Sequence, residues 1–134
     1  MTERTITSGK RKRAVARAVL TSGSGKIRIN LKDYKTRQLF DRLKIEEPLK
    51  IAEAVLGKID FDVAIDVKGG GEKGQIEAAR LALARALVKV SDSKKLAEAF
   101  QEYDRNLMVA DVRRKEMYKP GDSKARSKRQ KSFR

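Results

Sequence analysis

Ile59, Phe61, Val63, Ile65 and Val67 are separated by Asp60, Asp62, Ala64, Asp66 and Lys68, the cleanest period-two pattern in the chain. Successive side chains of a strand point to opposite faces, so this segment predicts a strand with one core face and one wet face. Ala14 to Leu20 alternates more loosely and predicts a second strand, with the basic cluster Lys10-Arg11-Lys12-Arg13 just ahead of it. Ser22-Gly23-Ser24-Gly25 is turn chemistry, and Ile27, Ile29 and Leu31 then alternate with Arg28 and Asn30. Together these predict a hairpin between the Ala14–Leu20 strand and the one that begins at Ile27.

Helical spacing fills the remainder. Asp33 predicts a cap for a short helical stretch through Tyr34, Leu39, Phe40 and Leu43. Glu46-Glu47-Pro48 predicts the opening of a better helix, because proline suits the first helical position and acids suit the positive end of the dipole; Gly57 after Leu56 marks its close. The run Gly69-Gly70-Gly71-Glu72-Lys73-Gly74 breaks the alternating strand, and Gln75 to Val90 then places Ile76, Leu83, Leu87 and Val90 on one stripe and Leu81 and Val88 on a second flank. A helix apolar on two sides is expected to pack between the sheet and another helix. Lys94 to Tyr103 predicts a further amphipathic helix using Leu96, Ala99, Phe100 and Tyr103, and Leu107-Met108-Val109 reads as one short additional strand. No internal repeat is visible. The core signal fades past Asp111, which divides the chain into a globular domain over 1–110 and a linker with basic tail over 111–134.

A chain of 134 residues suits one core with extensions. Charge changes the picture at both ends. Residues 1–22 hold six bases against Glu3, and residues 121–134 hold six against Asp122, which accounts for most of the net charge of +15. The middle resembles an ordinary globular domain, whereas the ends are arms suited to a polyanion. The tail, so charged and so poor in apolar groups, is expected to be disordered alone in water and to take its order from a partner. If its six cations each neutralised one phosphate of single-stranded RNA, affinity would fall with salt with a log-log slope of about −4. The sequence has no Cys, His or Trp. That removes disulfide scaffolds, thiolate and imidazole metal sites, Cys nucleophiles and every triad with a His base. No apolar run approaches a membrane span and the first residues carry no signal-peptide core, so the chain reads as soluble and intracellular.

Gly69, Gly71 and Gly74 satisfy G-x-G-x-x-G between a strand and a helix. A dinucleotide site would need a second parallel strand after that helix, and here another helix follows Asp92; a P-loop would need Lys where Gln75 stands. The safer reading is that flexible glycines bring backbone amides and a helix amino terminus close to a phosphate, with Lys68 and Lys73 adding charge, and that this phosphate belongs to a nucleic acid. The bland alternative is a tight strand-to-helix turn. Asp60, Asp62 and Asp66 share one strand face and are better explained as its solvent positions than as a magnesium site. Tyr34 and Tyr103 fit amphipathic faces and are expected in the core, while Tyr118 and Phe133 stand among cations and suit stacking on bases or riboses.

The stretch Gly69-x-Gly71-x-x-Gly74-Gln75-x-x-Ala78-x-x-x-Ala82-x-Ala84-Arg85-Ala86-Leu87 closely resembles the signature of the universal small-subunit ribosomal protein nine family. The resemblance spans the chain: it includes Ser8-Gly9-Lys10-Arg11-Lys12-x-Ala14-x-Ala16, Asp111-x-Arg113-Arg114-x-Glu116 and the closing Arg126-x-x-Arg129-Gln130-Lys131-Ser132-Phe133-Arg134. That ending looks like the archaeal and eukaryotic branch, with Val112 where the branch usually has Pro and Phe133 where it usually has Tyr.

The resemblance implies an α+β fold: a two-layer sheet-and-helix domain like the second domain of small-subunit ribosomal protein five, with an extended basic C-terminal tail. It implies a non-enzymatic role in the cytoplasmic small ribosomal subunit, with no cofactor, metal, membrane or small-molecule substrate. Implied partners are small-subunit ribosomal RNA in the 3′ major domain of the head, neighbouring head proteins, and the anticodon stem-loop of peptidyl-site tRNA. The ribosomal RNA set carried over is Lys10, Arg11, Lys12, Arg13, Arg17, Lys68, Gly69, Gly71, Lys73, Gly74, Gln75, Arg113, Arg114, Lys119, Lys124 and Arg126; the positions nearest tRNA are Lys128, Arg129, Lys131, Phe133 and Arg134. Two rival readings are a free-standing RNA-binding protein acting off the ribosome and a small nucleotide-dependent enzyme using the glycine loop.

Overall fold

The strand that alternation marks most clearly runs from Phe61–Lys68 and takes the middle place in a five-stranded sheet. A computed structural model describes residues 3–120 and 125–126. In chain order the strands are β1 (Thr5–Arg11), β2 (Ala14–Ser22), β3 (Ile27–Ile29), β4 (Lys32–Asp33) and β5 (Phe61–Lys68), and the helices are α1 (Leu39–Leu56), α2 (Glu72–Ser91) and α3 (Lys94–Tyr103). The sheet order is β1-β2-β5-β3-β4. Only β3 and β5 run parallel. Helix α2 lies across β1, β2 and β5, α1 packs beside α2, and α3 packs on α1, giving the expected α+β arrangement of one sheet layer and one helix layer.

Between the layers sit Ala14, Ala16, Ala18 and Leu20 of β2, Val63, Ile65 and Val67 of β5, and Ile76, Leu83 and Leu87 of α2. The small residues of β2 meet Ala78, Ala79, Ala82 and Ala86 of α2, so strand and helix approach closely. Gly9 on β1 marks the tightest approach. A Cβ there would lie 2.3 Å from the Ala78 carbonyl oxygen and 2.7 Å from the Ala82 nitrogen, both backbone atoms held by the helix. Thr7, two residues earlier on the same face, donates its hydroxyl to the Ala82 carbonyl at 2.8 Å.

Several expectations need correction. The basic cluster does not merely precede a strand: Lys10 and Arg11 belong to β1, which pairs with β2 along its whole length, and Lys12-Arg13 is the two-residue turn, with Lys12 at φ 53°. Glycine and polar residues over 8–13 mask this strand's alternation. β2 and β3 are not a hairpin, because β5 lies between them. Their linker instead wraps the start of β5: Gly23 N–H donates to the Asp60 carbonyl at 3.0 Å, and the amides of Ser24, Gly25 and Lys26 all donate to Asp62 Oδ1 at 2.9–3.1 Å. Gly23 is required because a Cβ would overlap the Asp62 carboxyl group. β3 ends at Ile29, and Asn30 and Leu31, both at positive φ, turn the chain into β4.

α1 is one helix from Leu39, not two segments divided at Glu46. Proline inside a helix forfeits a hydrogen bond and crowds the preceding turn, at about 3 kcal/mol or more. Here Pro48 is fully buried with Ile45, Leu49 and Ala52 on the face that meets the core, and that packing outweighs the local preference. Asp33 does cap a turn, but a single 3-10 turn over Tyr34–Thr36. Gly57 closes α1 at φ 87°, as the sequence predicts. Leu107 is buried in a 3-10 turn over Arg105–Leu107 capped by Asp104, where a short strand was expected. Tyr34 is in the core, but Tyr103 is 58% exposed.

The outer edge of β1 is occupied by side chains of α2. Arg85 Nη1 donates to the Ser8 carbonyl at 3.0 Å and Lys89 Nζ to the Ile6 carbonyl at 3.3 Å, while Arg85 Nε reaches the Met108 carbonyl at 3.1 Å. Arg85, a residue of the family-like signature, therefore ties helix, sheet edge and the turn after α3 together.

Candidate nucleic-acid interface

The helix layer covers one face of the sheet and leaves the other open. On β1, Ile6, Ser8 and Lys10 point to the open side, whereas Thr7 and Arg11 bond toward α2. On β2 the open positions are Val15, Arg17, Val19 and Thr21; on β5 they are Asp62, Ala64, Asp66 and Lys68; on β3, Arg28. Strand register then fixes neighbours. Lys10 and Lys68 flank Val15, Ser8 and Asp66 flank Arg17, and Ile6 and Ala64 flank Val19, with Arg28 beyond Ala64. Arg4 and Lys26 border the same region beside Val19, Thr21 and Asp62. The result is an aliphatic centre rimmed by six cations and two acids.

Three of those six, Lys10, Arg17 and Lys68, were marked by the sequence; Arg4, Lys26 and Arg28 were missed. The signal for Arg28 was its polar place in an alternating strand, but only the parallel pairing of β3 with β5 sets it on the same face as Arg17. Among the described residues none of the six has a carboxylate within ion-pair distance. The turn residues Lys12 and Arg13 share this property and are exposed.

Several cations on the helix side are engaged. Arg11 Nε donates to Glu77 Oε2 at 2.7 Å and its Nη2 lies 3.5 Å from Asp111 Oδ2. Burial pushes the Glu77 carboxyl upward, but the hydrogen bond from Arg11 and the charge of Lys44 outweigh it and leave Glu77 below the usual carboxylate range. Arg113 grips Asp111 through Nε and Nη2, the latter at 2.7 Å, and Arg11 Nη1 reaches the Arg113 carbonyl at 3.4 Å. The Asp111 carboxyl falls to about 2, first through the Arg113 side chain, then through the Arg113 amide, with Arg11 adding to both. Lys73 donates to the buried Asp41 at 2.8 Å, and this hydrogen bond holds the ammonium above its ordinary pKa. Arg80 bridges Glu47 and Asp104.

The glycine loop has a structural explanation at its first two positions. Gly69 and Gly70 have φ of 78° and 67°, and a Cβ on them would meet the Arg13 carbonyl oxygen at 2.6 Å and the Ala14 nitrogen at 2.9 Å. The loop thus lies directly on the β1–β2 turn. Gln75 locks it by donating its side-chain amide to the Gly69 carbonyl at 3.1 Å. Gly71 precedes α2 with open space around it, and Gly74 allows ordinary contact with Arg11 and Ala14. After α2 the chain enters α3, so the strand that a dinucleotide unit needs is replaced by a helix. Two of the three strand acids have uses of their own: Asp62 binds three amides, which hold its carboxyl below the usual range, and Asp60 lies 3.3 Å from Lys58; Asp66 is opposite Arg17 in the strand register.

Residues 110–119 carry no regular secondary structure. Arg113, Arg114 and Lys119 lie along them, Lys115 Nζ sits 4.6 Å from the ring centre of the half-exposed Tyr118, and Arg126 donates to Glu116 at 3.0 Å. Lys124 and the residues expected nearest tRNA, Lys128, Arg129, Lys131, Phe133 and Arg134, lie outside the described residues. No described helix is long and apolar enough to cross a membrane.

The family described as ribosomal protein S9/S16 matches residues 9–134. The chain is 47% identical over 131 residues to small ribosomal subunit protein uS9 of Methanococcus vannielii, covering 96% of each chain. It is 49% identical over 132 residues to the uS9 protein of Thermoplasma acidophilum, covering 96% of this chain and 99% of the relative. For that of Halobacterium salinarum the identity is 46% over 131 residues, covering 97% and 98%. A signature in which Gly69, Gln75 and Arg85 each have a defined place in the fold, read with matches of this extent, shows that the chain belongs to the ribosomal protein S9/S16 family, in its archaeal type, a family of structural proteins of the ribosome and not of enzymes.

Proposed function

We propose that the chain docks on folded ribosomal RNA in the head of the small subunit through its open sheet face and the Lys12-Arg13 turn, while its C-terminal extension supplies cations toward peptidyl-site tRNA. The observation that carries this reading is the division of the cations. Arg11, Lys44, Lys73 and Arg80 on the helix side each meet a carboxylate, whereas Arg4, Lys10, Arg17, Lys26, Arg28 and Lys68 share the open sheet face with none within ion-pair distance among the described residues. A cation with a protein partner adds little to phosphate binding, whereas an unpaired one releases counterions from RNA when it docks. The aliphatic centre provides shape without base readout, which suits recognition of folded RNA by form.

Within this reading, residues 1–110 are the docking domain and 111–134 the extension. Arg11 and Asp111 hold the root of the extension against the domain, so its direction is set before RNA arrives. Lys128, Arg129, Lys131, Phe133 and Arg134 act nearest tRNA, with the Phe133 ring stacking or packing where a phenol hydroxyl is dispensable.

The test separates the two regions. Reversing Arg17, Arg28 and Lys68 together to Glu should leave the melting temperature near wild type and sharply lower occupancy of the chain in purified small subunits; normal occupancy would refute the sheet-face assignment. Deleting residues 128–134 should preserve occupancy and weaken peptidyl-site tRNA binding, and unchanged tRNA affinity in such subunits would remove the tail's role. A protein acting off the ribosome would fail to co-sediment with small subunits in high salt.

A further inference from the structure

Ile29 pairs with Lys32, so Asn30 and Leu31 alone form the turn between β3 and β4. Both stand at positive φ, 50° and 69°. A two-residue hairpin turn of this kind favours Asn at its first position and Gly at its second, because the left-handed backbone crowds a bulky side chain there. Asn30 follows that preference and Leu31 breaks it. Among the described residues the other non-glycine positions at positive φ are Lys12, Asn30 and Asp92, all polar, which leaves Leu31 as the one apolar outlier.

Nothing inside the protein accounts for the strain. Leu31 is 90% exposed, more than any other large apolar residue described. The turn that carries it is nevertheless fixed in place: Asn30 N–H donates to the Ile65 carbonyl at 2.8 Å, and Asn30 Oδ1 accepts from the Val67 amide at 2.9 Å. A leucine that is strained, anchored and turned to solvent is explained by a contact outside the chain.

Charge decides the kind of partner. The bonds of Asn30 set the tip beside the end of β5, where Lys68 follows Val67 and Gly69 lies against Arg13 of the β1–β2 turn. Lys12, Arg13, Arg28, Lys32 and Lys68 thus belong to this end of the sheet, and among the described residues none has a carboxylate within ion-pair distance. Of the acids nearby, Asp33 is taken up by the Lys35 amide and Glu72 opens α2. These surroundings suit a polyanion. A leucine side chain forms no hydrogen bond and reads no base edge, so what it buries in RNA is the apolar face of a base, which is open where the base is unstacked.

We infer that the β3–β4 tip docks on a loop or bulge of ribosomal RNA, with Leu31 packed against the face of one unstacked base and the surrounding cations on the phosphates. The inference rests on the ribosomal reading above, and Arg28 and Lys68 make the tip continuous with the open sheet face.

Leu31→Gly separates fold from partner, because glycine removes the strain and the contact together. The free variant should melt a few degrees above wild type, and small subunits carrying it should lose it several-fold faster in a high-salt wash. A lower melting temperature would show that Leu31 serves the fold, and unchanged retention would show that nothing packs on it; either result overturns the inference. Photoactivatable benzoylphenylalanine at position 31 of the full chain, irradiated in salt-washed subunits, should attach to RNA at an unpaired nucleotide. Attachment to a protein, to a base-paired nucleotide or to nothing overturns the inference as well. All of these outcomes leave the ribosomal reading standing, whereas failure of the wild-type chain to enter small subunits takes both down.

Discussion

At the scale of single residues, three glycines mark close approaches of backbone to backbone. Gly9 admits no Cβ against the α2 backbone, and Gly69 and Gly70 admit none against the β1–β2 turn. Gly9→Ala must shift β1 or α2, and overpacking of a well-filled core costs about 1–3 kcal/mol. The melting temperature of the variant should fall accordingly, and a melt matching wild type would show that the layers can separate freely there. Asp111 gives a second residue-scale prediction. Its carboxyl is lowered to about 2 from an ordinary 3.8, so its stabilising contribution is complete above the ordinary value and is lost as pH falls through the lowered one. Thermal melts of wild type and Asp111→Asn should differ by a constant amount above about pH 5, with the gap closing progressively below that and gone only below about pH 2; a gap that stays constant through this window would mean that Asp111 gains nothing from Arg113 and Arg11. Sequence could mark Asp111, Arg113 and Arg11 as polar, but not that two of them neutralise the third.

The elements divide according to how local their causes are. β5, α2 and α3 were legible because each shows its own period, and Gly57 and Ser93 stop or start helices by chemistry contained in a few residues. β1, the continuity of α1 and the separation of β2 from β3 were not legible, because each depends on packing between segments distant in sequence. Pro48 breaks a helix in isolation and is absorbed into one by a buried face. The Gly-Ser turn promised a hairpin and became a wrap around β5 because Asp62 collects its amides. Asp62→Ala should therefore loosen that wrap specifically. Hydrogen exchange at the Ser24, Gly25 and Lys26 amides should accelerate while the α2 amides stay protected, and equal protection in the variant would show that the amides do not depend on the carboxylate. For the candidate interface, the basic positions were visible in sequence but their sorting was not. Alternation predicts that Lys10 and Arg11 face opposite ways once β1 is known, and the pairing partners Glu77 and Asp111 come from remote segments.

At the scale of the whole molecule, two surfaces carry different chemistry: an open sheet whose six cations have no carboxylate within ion-pair distance among the described residues, and a sheet edge closed by two side chains of α2. The first is suited to a partner and the second to none. Each carbonyl that Arg85 and Lys89 engage on β1 is one that an incoming strand would otherwise use, and an open edge is a template for self-pairing. The far edge is blunted differently, by the two-residue strand β4. Replacing Arg85 and Lys89 together by Ala should make the purified chain lose monomer with time and concentration, as light scattering would detect; a variant that stays monomeric would show that charge alone suffices. A structural protein of the ribosome must spend an interval as a free chain after synthesis. During that interval the two clamped carbonyls act as quality control built into the fold, keeping newly made copies available for assembly instead of for one another.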